Sequence, residues 1–178
     1  MLQRIVLASN NPGKAREIGA MLADLDIEVL PQSRFATPEV EETGLTFVEN
    51  ALIKARAAAA ASGLPALADD SGLEVDALNG APGIRSARYS GSDGDDFANN
   101  TKLLEALSEV PEEERGARFQ CLLVRLRHTE APTPWIFQGT WDGRSPGAPQ
   151  WEYGFGYELI FLIPGQGCWS AEVTPGIM

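Results

Sequence analysis

Short apolar runs alternate with turn-forming clusters along most of the chain. Five of these runs have the length and composition of buried strands. They cover residues 4–8, 27–30, 117–127, 135–141 and 159–163. Between them, Asp69-Asp70-Ser71-Gly72 separates two shorter apolar runs, so we expect a tight acidic turn between two strands there.

Three segments show helical periodicity instead. Ile18, Met21, Leu22 and Leu25 share one face at a spacing of 3.6 residues, which predicts a helix after the turn at residues 9–14. Residues 95–108 have the same character.

The middle helix carries the clearest local signals. Thr46 and Glu49 form a capping-box pattern, and an alanine-rich helix is expected to run from there to about Ser62. Gly63 is its expected terminator. Strands and helices mixed in this order predict an α/β fold with a mixed sheet.

Composition and charge limit the partners. The 178 residues are 44% hydrophobic and 22% charged, as in an ordinary globular protein. The formal net charge of −11 repels a nucleic-acid backbone, so nucleic acid is not an expected partner. No apolar stretch has the length of a signal peptide or a membrane span, and a cytoplasmic location without membrane contact is expected.

Cys121 lies in an apolar run and is expected to pack in the core.

The first chemical motif is the turn that follows the first strand. Its residues are Ser9, Asn10, Asn11, Pro12, Gly13 and Lys14. A turn at the start of a helix can bind an anion, and Lys14 adds a positive charge, so phosphate binding is one interpretation. The other is an ordinary turn with a solvated lysine. The turn lacks the glycine and Gly-Lys-Ser/Thr pattern of a Walker A loop.

Carboxylates form the second motif. Asp69 and Asp70 are adjacent, and Glu39, Glu41 and Glu42 precede the middle helix. Magnesium prefers such oxygen ligands together with water and phosphates. Solvated loop and turn charges are the alternative interpretation.

Two further features are weaker. Lys54 is one of three lysines and lies on the middle helix. Phe155, Gly156, Tyr157 and Glu158 combine a flexible glycine with aromatic rings that could stack on a base, although such rings more often belong to a core.

The order of these motifs resembles the inosine triphosphate pyrophosphatase family, also called XTP/dITP diphosphatases. The matching segments are residues 9–14, 41–47, 49–51, 54–55, 68–73, 80–83, 86–89 and 154–157. The resemblance implies an elongated α/β structure with a mixed sheet, two lobes and an active site in the cleft between them. It also implies a homodimer that hydrolyses ITP, dITP and XTP to monophosphate and pyrophosphate with Mg²⁺.

The resemblance also assigns residues. The turn from Ser9 to Lys14 holds the triphosphate, and Lys54 and Ser71 contact substrate. Glu41 and Asp70 bind magnesium, and Asp70 is also the proton acceptor. The four residues from Phe155 to Glu158 line the base pocket.

The chain departs from the family pattern near its end. Glu158 stands where the family has Asp, and neither the downstream lysine nor the Ser-His-Arg motif is found. The resemblance therefore implies one domain of two lobes over residues 1–178 without the family's C-terminal helix, and it leaves base selectivity open.

Two alternatives follow. One is a nucleotide-binding protein with little or no turnover. The other is a Maf-like pyrophosphatase for pyrimidine or modified nucleotides, which the missing arginine pair in residues 9–14 disfavours.

Overall fold

The computed structural model describes residues 3–91, 94–145, 156–163 and 168–170. Within these residues the structure has seven strands: β1 Gln3–Leu7, β2 Ile27–Pro31, β3 Ala66–Val75, β4 Gly116–Leu126, β5 Trp135–Arg144, β6 Leu162–Ile163 and β7 Cys168–Trp169. The α-helices are α1 Pro12–Met21, α2 Phe47–Ser62 and α3 Asp96–Ala106. Short 3-10 helices include Gln32–Phe35, Gly83–Arg88 and Gly156–Ile160.

The strands form one mixed sheet in the order β2-β1-β3-β4-β5-β6-β7. β1 is parallel to both β2 and β3, whereas β6 is antiparallel to β5 and β7. The predicted α/β class with a mixed sheet is confirmed.

The chain divides into two compact units. The first contains Met1–Asp70 and Cys121–Gln138, and the second contains Ser71–Gln120 and Gly139–Met178. Each has its own apolar core. In the first, small side chains of α2 pack with Val6, Ala68 and Val124. In the second, Leu73, Leu103 and Phe161 are fully buried members of one cluster.

α2 forms as its sequence predicts. The Thr46 hydroxyl accepts a hydrogen bond from the Glu49 N–H, and the Glu49 carboxylate accepts one from the Thr46 N–H. At the other end Gly63 takes a left-handed conformation with φ of 67°, which a glycine adopts without strain. The helix is therefore closed at both ends by local interactions.

The predicted acidic turn is wrong. β3 continues without interruption through Asp69, Asp70, Ser71 and Gly72. These residue types favour turns in isolation, but tertiary contacts neutralise both aspartates inside the fold and allow the strand to continue.

Three smaller expectations need correction. The predicted helix forms as α1, but it ends at Met21, so Leu25 lies outside it, and both Met21 and Leu25 are exposed. Cys121 is exposed because side chains alternate along β4, and its neighbour Leu122 takes the core-facing position. The segment before β6 is a 3-10 helix up to Ile160, so little of the predicted strand at 159–163 forms.

Candidate active site

The turn from Ser9 to Lys14 joins β1 to α1. Asn11 caps the helix, and its side-chain oxygen accepts hydrogen bonds from the N–H groups of Gly13 at 2.7 Å and Lys14 at 3.3 Å. Pro12 begins the helix, where its missing N–H costs nothing. The Asn11 side chain therefore occupies two of the backbone N–H groups at the start of the helix.

A cavity of about 320 Å³ opens beside this turn within the first unit. It collects several of the predicted residues: Ser9, Asn10, Lys14 and Lys54 all line it. Further polar lining comes from Gln32, Thr37, Glu39, Glu42 and Asp69. The Gln32 amide donates a hydrogen bond of 2.9 Å to the Asn10 side-chain oxygen, which leaves the Asn10 amide nitrogen available as a donor.

Two lysines neutralise the carboxylates of β3. Lys14 forms an ion pair with Asp69. The Lys54 Nζ lies 2.8 Å from Asp70 Oδ1 and 3.0 Å from Glu42 Oε1. Both aspartates are buried, and burying a carboxylate without a partner costs much free energy. These pairs explain how the acidic dipeptide is tolerated inside a strand.

The environment of Asp70 perturbs its protonation. Burial raises the pKa of the Asp70 carboxyl above its usual value, although the hydrogen bond and charge of Lys54 oppose the shift. Burial by itself lowers the pKa of Lys54, but the contacts with Asp70 and Glu42 outweigh it, so the lysine pKa is raised. Lys54 is therefore held in its charged form.

One oxygen of Asp70 remains without a partner. Asp70 Oδ2 is buried and makes no hydrogen bond, and the same holds for the Asn50 side-chain nitrogen. Asn50 lies close enough to lower the pKa of Asp70 slightly, but without good hydrogen-bond geometry. The Asn50 oxygen accepts a hydrogen bond of 2.8 Å from the Gly44 N–H and so ties the loop after Glu42 to α2.

Glu41 and Glu42 are adjacent in the loop before α2, but their side chains lie in different environments. Glu42 lines the cavity and contacts Lys54, whereas Glu41 is exposed and does not line it. Gly44 cannot carry a side chain here, because a Cβ atom would lie 2.5 Å from the Glu49 Cβ and 2.7 Å from the Asn50 oxygen. Sequence reasoning missed Gln32, and it included Gly44 and Asn50 only as members of segments that match the family, without a role. The close approach at Gly44 is a tertiary feature with no local sequence signal.

The remaining predicted residues belong to the second unit. Ser71 is exposed on β3, and Gly156, Tyr157 and Glu158 lie in a 3-10 helix. Tyr157 is buried in the core, and its hydroxyl donates a hydrogen bond of 2.9 Å to the Ser86 carbonyl, so its ring serves packing. Phe155 lies outside the described residues.

Among the described residues, no group of three or more His, Cys, Asp or Glu side chains is arranged to hold a metal ion. Within the same residues, no helix is long and apolar enough to cross a membrane.

The chain is similar to known proteins over almost its whole length. The dITP/XTP pyrophosphatase of Yersinia pseudotuberculosis is 56% identical, over 97% of this chain and 88% of its own. The dITP/XTP pyrophosphatase of Vibrio cholerae is 53% identical, over 98% of this chain and 87% of its own.

Solved structures give the same result. A HAM1 protein from Coxiella burnetii superposes with a TM-score of 0.92 at 46% identity, over 97% of this chain and 88% of its own. The dITP/XTP pyrophosphatase from Mycobacterium abscessus has a TM-score of 0.84 at 41% identity, over 97% and 88% of the two chains. The family model described as the Ham1 family matches residues 5–177. The resemblance inferred from the motifs is confirmed: the chain belongs to the Ham1 family.

Proposed function

We infer that this chain is an enzyme that hydrolyses non-standard purine nucleoside triphosphates, namely ITP, dITP and XTP, to the monophosphate and pyrophosphate. It would thereby remove deaminated purines from the nucleotide pool. The observation that carries the proposal is the polar cavity beside residues 9–14, where Lys14 and Lys54 are each held by a buried aspartate. The names of the two relatives point to two of these substrates, dITP and XTP.

The triphosphate is proposed to bind in that cavity. Lys14 and Lys54 supply positive charge, and the side chains of Ser9 and Asn10 supply hydrogen-bond donors. Lys14 is 43% exposed, so a phosphate can reach it without unfolding the turn. Asn11, Pro12 and Gly13 set the shape of the turn, and Asn11 does so through its capping bonds.

The residues fit a divalent cation, for which we propose Mg²⁺. Asp70 offers a buried oxygen without a hydrogen-bond partner, and hard cations prefer carboxylate oxygens. The resemblance assigns a second carboxylate to Glu41. Magnesium commonly uses one or two carboxylates and fills its other positions with water and substrate phosphates. When bound, the ion would polarise phosphoryl oxygens and acidify a water.

Asp70 is proposed as the proton acceptor. Water attacks the α-phosphorus, its proton passes to an Asp70 carboxylate oxygen, and the bond to the pyrophosphate oxygen breaks. Burial raises the pKa of Asp70, which makes its carboxylate a stronger base than a solvated aspartate. Lys54 keeps the group oriented through their 2.8 Å contact.

Base recognition is proposed for the segment from Phe155 to Glu158, and Ser71 is proposed to contact substrate. Tyr157 would position this segment from the core, since its ring is buried and its hydroxyl is bonded to Ser86.

A homodimer is proposed on the basis of β5. Trp135 and Phe137, which share one face of the strand, are 55% and 54% exposed, and Ile136 on the other face is 50% exposed, although large apolar side chains on a strand are usually covered. Sedimentation velocity would show a dimer that Phe137→Glu weakens. A monomer at all concentrations would contradict this part of the proposal.

The decisive assay measures pyrophosphate release from ITP, XTP, dITP, ATP, GTP and dUTP with magnesium. We expect pyrophosphate and monophosphate from the first three at rates well above those from ATP, GTP and dUTP. Background rates with all six would overturn the proposal, and release of single phosphates would indicate a different reaction.

A further inference from the structure

The first half of α3 carries polar side chains on the face that its second half fills with leucines. Asp96, Asn99 and Asn100 follow the i, i+3, i+4 spacing that places side chains on one side of a helix. Leu103 and Leu107 continue that side and are fully buried. Asn99 and Asn100 are only 2% and 7% exposed. Burying an amide is costly unless it is hydrogen-bonded, so these side chains require partners.

Two of these three side chains, those of Asp96 and Asn100, form hydrogen bonds with the same residue, Gly156. The Gly156 N–H donates to Asp96 Oδ2 at 2.8 Å, and Asn100 Nδ2 donates to the Gly156 carbonyl at 2.9 Å. Both backbone groups of Gly156 are therefore held by side chains one helical turn apart. The orientation of the Asn100 amide is fixed by chemistry, because a carbonyl accepts and only the nitrogen can donate. We call this arrangement the α3 clamp.

Gly156 needs such support. Its φ of 60° lies in the left-handed region, where a glycine is free to move to other conformations. The 3-10 helix Gly156–Ile160 starts at this residue. A shift in Gly156 would therefore turn the whole segment that follows it.

Asn99 ties a second segment to the same helix. Its side-chain oxygen accepts from the Ser90 N–H at 2.7 Å, and its nitrogen donates to the Ala87 carbonyl at 3.2 Å. Tyr157 closes the arrangement through its bond to Ser86. One face of α3 is thus hydrogen-bonded to two segments that match the family, at Ala87 in one and at Gly156 in the other.

We propose that Asp96 and Asn100 are positioning residues for nucleobase discrimination, acting through Gly156. The inference rests on the proposed function, in which the segment from Gly156 to Glu158 contributes to base recognition. Discrimination between bases requires hydrogen-bonding groups fixed to within a fraction of an ångström. Lys14 and Lys54, which are proposed to bind phosphate, belong to the other unit. Loss of the clamp should therefore change base preference more than phosphate binding.

Asp96 is the better residue to change, because it is exposed, whereas Asn100 is buried. Asp96→Ala removes the acceptor of the Gly156 N–H, whereas Asp96→Asn removes the charge but keeps an oxygen acceptor. Glu105→Ala changes an exposed residue of the same helix that lies outside the clamp. Asn100→Asp removes the donor to the Gly156 carbonyl with almost no change in shape.

The experiment measures kcat/KM for ITP and for GTP, and inhibition by inorganic triphosphate, which has no base. For Asp96→Ala and Asn100→Asp we expect the ITP/GTP ratio to fall about tenfold or more, mainly through KM for ITP, with triphosphate inhibition within about threefold of wild type. Asp96→Asn and Glu105→Ala should keep the ratio. Hydrogen exchange at the Gly156 amide should accelerate in Asp96→Ala.

An unchanged ratio, or equal losses for ITP, GTP and triphosphate inhibition, would overturn the clamp while leaving the proposed function in place. Unchanged exchange at Gly156 would also overturn it, and this readout does not depend on activity. Wild-type protein that releases no pyrophosphate from any triphosphate would instead defeat the proposed function, and the role in base discrimination with it. Should Asp96→Ala fail to fold, the comparison of Asp96→Asn with Asn100→Asp decides the question.

Discussion

Asp69 and Asp70 are consecutive residues of β3, yet lysines from two different helices neutralise their carboxylates. Successive side chains of a strand point to opposite faces, so Asp69 meets Lys14 of α1 while Asp70 meets Lys54 of α2. One strand therefore connects the turn proposed to bind phosphate with the helix that carries the second lysine. Asp69 and Asp70 are buried to a similar extent, but different roles are proposed for them.

That difference gives the first prediction. Asp70→Asn should lower kcat for ITP by a thousandfold or more, because it removes the proposed proton acceptor and metal oxygen. Asp69→Asn is the matched control, since it is equally buried and also paired with a lysine. It should act mainly on KM, by about tenfold, through a less well-held Lys14. Steady-state pyrophosphate release separates the two effects, and equal loss of kcat in both variants would contradict the assignment of Asp70.

Lys54 provides the second prediction. Lys54→Met leaves Asp70 and Glu42 without their shared cation, and breaking a buried ion pair is destabilising. Because the lysine is 19% exposed, we expect a loss of about 2 kcal/mol in the free energy of unfolding, less than for a fully buried pair. Turnover of ITP should fall about ten- to a thousandfold.

Lys102→Met is the control for that variant. Lys102 lies in the second unit, where it contacts the Tyr89 ring and carbonyl, and is expected to matter little to turnover. Urea titration and pyrophosphate release on both variants test the pair. If Lys54→Met unfolds at the same urea concentration as the wild type, the ion pairs of Lys54 with Asp70 and Glu42 do not stabilise the fold.

A feature of this fold or site can be predicted from the sequence when it depends on residues that are neighbours in the chain. The helix cap at Thr46 and the stop at Gly63 were predicted because capping depends on a few neighbouring residues. Strands β1 and β2 were predicted from their apolar runs, although their parallel pairing was not. For the turn at residues 9–14 and for the acidic dipeptide, the residues alone left two interpretations open, and the family resemblance favoured the chemistry proposed here.

Other features depend on distant contacts and could not be predicted. The continuous strand through Asp70 requires Lys54, which is 16 residues away in sequence. The clamp on Gly156 joins Asp96 to a residue 60 positions later. Local propensity assigned Asp69-Asp70-Ser71-Gly72 to a turn because it contains no information about such partners.

The two glutamates before α2 give the third prediction. Glu41 is exposed and is the magnesium ligand that the resemblance implies, whereas Glu42 is already bound to Lys54. Glu41→Gln should raise the magnesium concentration needed for half-maximal activity about tenfold or more, because one anionic ligand is lost. Glu42→Gln should leave that concentration within about threefold and weaken substrate binding through Lys54. Magnesium titrations at saturating ITP distinguish them, and the reverse pattern would assign the metal to Glu42.

The last prediction concerns alkaline stability and Tyr157. Burial, followed by the nearby Tyr89 and Asp96, raises the pKa of the Tyr157 hydroxyl above its ordinary value. The unfolded chain then releases this proton at a lower pH than the folded chain. The stabilisation is complete below the unfolded pKa of about 10 and is lost as the pH rises from there towards the folded pKa.

At neutral pH the free energy of unfolding of Tyr157→Phe should be about 1 kcal/mol lower than that of the wild type, because the Ser86 carbonyl loses its donor. Above about pH 10 its stability should fall less steeply than that of the wild type. Tyr89→Phe removes a secondary cause of that shift but leaves the Tyr157 hydroxyl in place, so its slope should stay closer to that of the wild type than to that of Tyr157→Phe. Thermal melts between neutral pH and about pH 11 measure the slopes. If Tyr157→Phe loses stability as steeply as the wild type above pH 10, another group controls alkaline unfolding.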